Sequence, residues 1–247
     1  MKVGLFIPCY IDQFYPEVGI SSLELLEQLE INVEYPLEQS CCGQPLVNSG
    51  YEREASKLHE NYFKQFKDFD YVVMPSGSCA LHVKEHMPEL QNSEEGIKLA
   101  TNTYEIVEFI HDVLGNPKLN ISFPHKIILH IGCHSIRGLN LSSCSEKNET
   151  SFSKVEKILE QVKGLEIVTP DYADECCGFG GTFSVFEKET SVKMGIDKLN
   201  NFKKTGAKIV VTTDISCTMH LEGIAKHNKM DFKFIHISQL LMNNVPF

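Results

Sequence analysis

Nine cysteines are the residues of this 247-residue chain best suited to chemistry: Cys9, Cys41, Cys42, Cys79, Cys133, Cys144, Cys176, Cys177 and Cys217. As thiolates they are soft ligands for iron–sulfur clusters, zinc or copper(I). The odd count argues against a fully paired disulfide framework. The N-terminus, MKVGLFIPCY, lacks a full signal-peptide apolar region and a small-residue cleavage site. It reads as the first strand of a cytoplasmic protein. In a reducing compartment, such enrichment points to metal binding or redox chemistry.

The cysteines fall into two copies of one pattern. KVGLFIPC (Lys2–Cys9) matches KIILHIGC (Lys126–Cys133), and SCCGQP (Ser40–Pro45) matches ECCGFG (Glu175–Gly180). YVVMPSGSCALH (Tyr71–His82) matches IVVTTDISCTMH (Ile209–His220). Three matches in one order make the chain an internal duplication. Each half supplies four cysteines, and only Cys144, in SSCSE, lies outside the repeats.

Four thiolates are the usual complement of a [4Fe-4S] cluster, which predicts one cluster per repeat. The ligands would be Cys9, Cys41, Cys42 and Cys79 in the first half, and Cys133, Cys176, Cys177 and Cys217 in the second. Zinc is the alternative metal, yet structural zinc sites commonly use paired C-x-x-C knuckles, and no such pair occurs here. Gly43 and Gly178 follow the vicinal pairs, where positive φ would let amides reach sulfur. Gly180 and Gly181 suit a tight turn equally well. GFGG is no dinucleotide fingerprint, since it lacks the full G-x-G-x-x-G pattern.

The elements that must position these cysteines are legible in part. Short apolar runs at Val3–Ile7, Tyr71–Met74, Ile127–His130 and Ile209–Thr212 suit strands buried in parallel sheets. Helical spacing joins Ala55, Leu58, Tyr62, Phe63 and Phe66; Val155, Ile158, Leu159 and Val162; and Val192, Ile196, Leu199 and Phe202. Alternating strands and helices predict an α/β fold of two Rossmann-like βαβ domains with mostly parallel sheets. The domains are placed at 1–120 and 121–247, related pseudo-symmetrically, with a loose link around Gly115–Pro124. Each cysteine follows a strand or lies in a loop, so each set of four can converge at the carboxyl edge of its sheet.

Lys plus Arg is 23 against 33 for Asp plus Glu, a net charge of −10, with no basic stripe. Nucleic acid is excluded as a partner on electrostatic grounds. No apolar run is long enough to span a bilayer, which leaves peripheral association as the only membrane role. Among lesser candidates, His134 is expected at the surface and His130 as a satisfied core histidine. Arg137, one of two arginines with Arg53, is a candidate for holding a substrate carboxylate.

The order C-x(31)-CCG-x(35)-C from Cys9 to Cys79, repeated with longer spacers from Cys133 to Cys217, resembles the cysteine-rich CCG domain. That domain occurs in heterodisulfide reductase and in the iron–sulfur components of glycolate oxidase and glycerol-3-phosphate dehydrogenase. NSGY (Asn48–Tyr51), PSGSC (Pro75–Cys79) and CCGFGGTFS (Cys176–Ser184) are similar to the lactate utilization protein A group. The resemblance implies an iron–sulfur electron-transfer subunit of a system that oxidises L-lactate. It also implies two partner proteins, one with ferredoxin-like clusters. No flavin or nicotinamide motif is present to accept a hydride.

The fullest family pattern ends in C-x-x-C, where this chain has His82 and His220. The missing fifth thiolate disfavours non-cubane clusters and disulfide reduction. It also makes the two histidines possible metal ligands. A thiol–disulfide enzyme working through the vicinal pairs, and a zinc-binding interaction module, are the competing functions.

Overall fold

The computed structural model describes residues 1–87, 90, 92–147 and 150–245. The first unit, Met1–Gly115, is built on β1 (Lys2–Leu5), β2 (Asn32–Glu34), β3 (Tyr71–Met74) and β4 (Thr103–Glu105). Their order is β2-β1-β3-β4 and every pairing is parallel. Val3, Leu5, Val72, Val73 and Met74 on the two central strands are buried, which explains their continuous apolar runs. Around the sheet lie α1 (Cys9–Phe14), α2 (Pro16–Gln28), α3 (Gln44–Val47), α4 (Glu52–Phe66), α5 (Gly77–His86) and α6 (Glu94–Thr101). The short α7 (Ile106–Glu108) continues into a π-helical turn at Phe109–Val113.

The second unit, Asn116–Phe247, repeats the plan with β5 (Lys126–His130), β6 (Glu166–Val168), β7 (Ile209–Thr212) and β8 (Lys233–His236). The order is β6-β5-β7-β8, again all parallel. Its helices are α8 (Cys133–Arg137), α9 (Lys154–Leu159), α10 (Phe183–Phe186), α11 (Lys188–Lys204), α12 (Ile215–His227) and α13 (Ile237–Met242). The division between units falls within the turn-rich stretch, at Gly115 and Asn116, which both have positive φ. None of the helices among the described residues is long and apolar enough to cross a membrane.

The long helices explain much of what places the site. In α4 the buried face is Ala55, His59, Tyr62 and Phe66. In α11 the same spacing recurs as Ser191, Gly195, Lys198 and Phe202. Leu58, Phe63, Val192 and Ile196, expected in the core, are only half-buried. Polar side chains hold the positions nearest the cysteine loops, which an apolar count passes over. The first strand also stops earlier than expected, at Leu5, because the Ile7 amide donates to the Gln39 side chain instead of a neighbouring strand.

Candidate metal centre in each unit

Because each sheet is parallel, its cysteines gather at one edge. Cys9 is the first residue of α1, Cys41 and Cys42 lie in the loop before α3, and Cys79 is in the first turn of α5. The second unit places Cys133 at the start of α8, Cys176 and Cys177 in the loop before α10, and Cys217 in the first turn of α12. All nine cysteines are free thiols.

In the first unit the Cys42 and Cys79 sulfurs are 3.4 Å apart and those of Cys9 and Cys41 are 3.8 Å apart. The vicinal loop is tied down on two sides. Gln39 bridges it to the end of β1, with Nε2 donating to the Leu5 carbonyl at 2.8 Å. Asn61 on α4 donates to the Glu38 carbonyl and to Ser40 Oγ, both at 3.0 Å. Gly43 takes φ +90°, and its amide donates to Cys41 Sγ at 3.4 Å. A Cβ there would come within 2.8 Å of His59 Nε2.

The second unit has the same core with different supports. The Cys177 and Cys217 sulfurs are 3.2 Å apart. Gly178, at φ +93°, donates its amide to Cys176 Sγ at 3.4 Å. The loop leading to Cys176 is held by Lys198, whose ammonium donates to the carbonyls of Tyr172, Ala173 and Glu175 at 3.1, 2.7 and 2.9 Å. Burial pulls the Lys198 pKa down.

The thiols do not titrate alike. Hydrogen bonds from Cys42 and Cys9, and from the Gly43 amide, hold Cys41 far below the ordinary thiol range. Hydrogen bonds from Cys133 and Cys177, and from the Gly178 amide, do the same for Cys176. Donation to those two sulfurs, with burial, pushes Cys9, Cys42, Cys133 and Cys177 upward. One thiolate per unit is thus stabilised by its own neighbours, and ionising Cys9 and Cys42, or Cys133 and Cys177, beside it calls for positive charge nearby. A thiophilic metal supplies that charge, so the donor set fits a metal centre.

His82 lies in the second turn of α5, fully buried, with Nε2 3.3 Å from His59 Nε2. Burial and the neighbouring His59 and His86 push its pKa down to about 4. His220 occupies the matching turn of α12, and its Nε2 faces Ser191, 3.5 Å from Oγ and 3.3 Å from the carbonyl oxygen. Among the described residues, the group of three metal-ligating atoms lying within 4.8 Å of one another is His130, Cys177 and Cys217; neither His82 nor His220 belongs to it.

Other expectations need correction. His130 is buried, but neither ring nitrogen has a hydrogen-bond partner, so it is not a satisfied core histidine. His134 is half-buried rather than exposed, with Nδ1 3.7 Å from Cys133 Sγ. Arg137 is already occupied, since it donates from Nε to Glu146 and from an Nη to the Asp174 carbonyl, both at 3.1 Å. Cys144 is buried outside both cysteine groups. Lys198 and His59 are marked in the sequence only as polar residues at helix positions whose period demands an apolar one.

The cysteine-rich domain family matches residues 3–84 and 127–222, covering both repeats. The chain belongs to this CCG family. It is 38% identical over 246 residues to lactate utilization protein A 1 of Bacillus mycoides, covering 98% of this chain and 96% of that protein. It is 37% identical over 245 residues to lactate utilization protein A of Oceanobacillus iheyensis, with the same coverage. It is also 37% identical to lactate utilization protein A of Geobacillus kaustophilus, with 98% of each chain covered. Among solved structures, glutamate racemase RacE1 of Bacillus anthracis is similar at 12% identity and a TM-score of 0.38, covering 98% of this chain and 79% of that one. That likeness is too slight to bear on function.

Proposed function

We propose that this CCG-family chain is an iron–sulfur electron-transfer subunit of a multi-protein L-lactate-oxidising system in the cytoplasm. One [4Fe-4S] cluster would be held by Cys9, Cys41, Cys42 and Cys79, and another by Cys133, Cys176, Cys177 and Cys217. The observation supporting this reading is the close approach of Cys42 to Cys79 and of Cys9 to Cys41 in the first unit, and of Cys177 to Cys217 in the second, in loops and helix starts beside parallel sheets. Such a cluster accepts and releases one electron at a time.

The chain's own residues hold and tune the site. The Gly43 and Gly178 amides donate to Cys41 and Cys176, which favours the thiolate form and raises the potential of a bound centre. Cys42, Cys79, Cys177 and Cys217 are buried and so shielded from water and oxidant. Cys9, Cys41, Cys133 and Cys176 are half-exposed, the side from which a redox partner can approach. Two one-electron centres match the two electrons released when a 2-hydroxy acid becomes a 2-oxo acid. Two partner proteins, one carrying ferredoxin-like clusters, would supply and collect them. The names of the relatives support the lactate assignment.

A second reading, dithiol–disulfide exchange, draws on the 3.2 Å approach of Cys177 to Cys217. Zinc bound by the same cysteines is a third. Anaerobic reconstitution with iron and sulfide separates them. The cluster reading expects a brown protein with about four iron and four sulfide per unit. Colourless protein with stoichiometric zinc, or metal-free protein with dithiol-dependent turnover, would contradict it.

A further inference from the structure

The repeat alignment sets His130 at the strand position that Phe6 holds in the first unit. Phe6 has an apolar environment, packing edge-on against Tyr62 and Phe66 at 5.5 and 5.8 Å between ring centres. His130 meets Phe202, the counterpart of Phe66, at 6.1 Å. An aromatic ring therefore fills this slot in either unit, and the first unit shows that no nitrogen is needed for packing.

The imidazole is nevertheless costly to keep. It is 1% exposed, and both ring nitrogens lack a hydrogen-bond partner. Leaving a buried polar group unpaired is destabilising, so two unpaired nitrogens in a slot that accepts phenylalanine call for a ligand. An unpaired imidazole nitrogen is a common metal donor. Its metal-ligating nitrogen lies within 4.8 Å of the sulfurs of Cys177 and Cys217, which are themselves within that distance of one another.

We propose that His130 is a nitrogen ligand of the metal centre in the second unit, acting with Cys177 and Cys217, so that the two units carry different ligand sets. The ligand set of the first unit is purely thiolate at this position, because Phe6 offers no donor. A [4Fe-4S] cluster has four terminal positions, so His130 would take one in place of a thiolate, and imidazole in place of thiolate raises the potential of an iron–sulfur centre. The second unit's centre is then the more oxidising of the two. This difference rests on the iron–sulfur reading, whereas ligation by His130 extends to any thiophilic metal.

The test uses the full chain labelled with 15N at histidine. One sample is reconstituted anaerobically with iron and sulfide, reduced, and read by electron–nuclear double resonance. A parallel metal-free sample receives Co2+ alone and is read by paramagnetically shifted histidine proton resonances. The expected result is a directly bound histidine nitrogen in the wild type, lost in His130→Phe and in His130→Gln. The first variant copies the Phe6 side chain and the second keeps polarity, so failure of one to fold leaves the other to decide. Clusters without histidine coupling, or coupling that persists in the variants, would overturn the proposal and leave the iron–sulfur reading standing. No cluster, but a cobalt-bound His130, would overturn that reading and leave this ligand in place. Neither signal would overturn both.

Discussion

The Cys42 and Cys79 sulfurs lie 3.4 Å apart although 37 residues separate them in the chain. Cys177 and Cys217 repeat this relationship at 3.2 Å across 40 residues. The two centres are assembled by separate sheets from separate stretches of chain, so they should fail separately. Cys42→Ser is expected to lower iron and sulfide content to about half, with the second unit still loaded. Cys177→Ser should do the same to the other half. Metal analysis of the two variants and of the double variant checks this; loss of all iron in either single variant would show one shared centre.

The glycines after the vicinal pairs should be irreplaceable for a steric reason. Gly178 has φ +93°, and a Cβ there would meet the Ser191 carbonyl oxygen at 2.7 Å. Gly206 has φ +73° but open space around it. Gly206→Ala should cost about 1 kcal/mol, from backbone conformation alone. Gly178→Ala should cost clearly more, because Ser191 contributes a backbone atom that cannot swing away. Urea denaturation of the metal-free chain compares them.

Much of this was legible in the sequence, and the exceptions share a cause. The central strands announce themselves because β1, β3, β5 and β7 are flanked by neighbours and covered, so nearly every residue is apolar. The edge strands β2 and β6, as Asn-Val-Glu and Glu-Ile-Val, have three residues each and none fully buried, so no continuous apolar run marks them. The cysteine sets were legible because a repeated spacing is a pattern. Lys198 was not, because its role depends on three backbone carbonyls from a loop that only folding brings to it. The unpaired state of His130 is not legible either, since strand alternation says which side a residue faces and not what it meets.

Lys198→Met should therefore loosen the second unit's cysteine loop. Three carbonyls lose their charged donor, and the expected destabilisation is about 3 kcal/mol. The counterpart Tyr62→Phe removes a single 2.9 Å contact with Thr103 Oγ1 and should cost about 1 kcal/mol. Hydrogen exchange should rise at 172–175 in the lysine variant alone.

Acid should destabilise the fold through histidines remote from sulfur as well as near it. His236 is fully buried and caps α13, its Nδ1 accepting from the Ser238 amide at 3.2 Å. Burial lowers its pKa to about 4, against 6.5 for the free side chain. The folded pKa is the lower one, so the unfolded chain takes up the proton first as pH falls. The neutral ring's contribution is complete above pH 6.5 and is lost progressively between 6.5 and 4, by at most about 3 kcal/mol. His236→Asn retains a capping side chain and should flatten that part of the stability–pH curve, measured by denaturation of the metal-free chain.

His220 points its Nε2 at Ser191, so His220→Ala should leave iron content at the wild-type level. A fall to about half would instead make His220 a ligand of the second centre. The same comparison for His82→Ala distinguishes a ligand from a buried neighbour of His59.

The central claim is one iron–sulfur cluster per unit, and the direct measurement is iron and acid-labile sulfide per chain after anaerobic reconstitution. The prediction is about eight of each, falling to about four in Cys42→Ser and to none in the Cys42→Ser, Cys177→Ser double variant. Stoichiometric metal without sulfide, or iron that survives the double substitution, would contradict it.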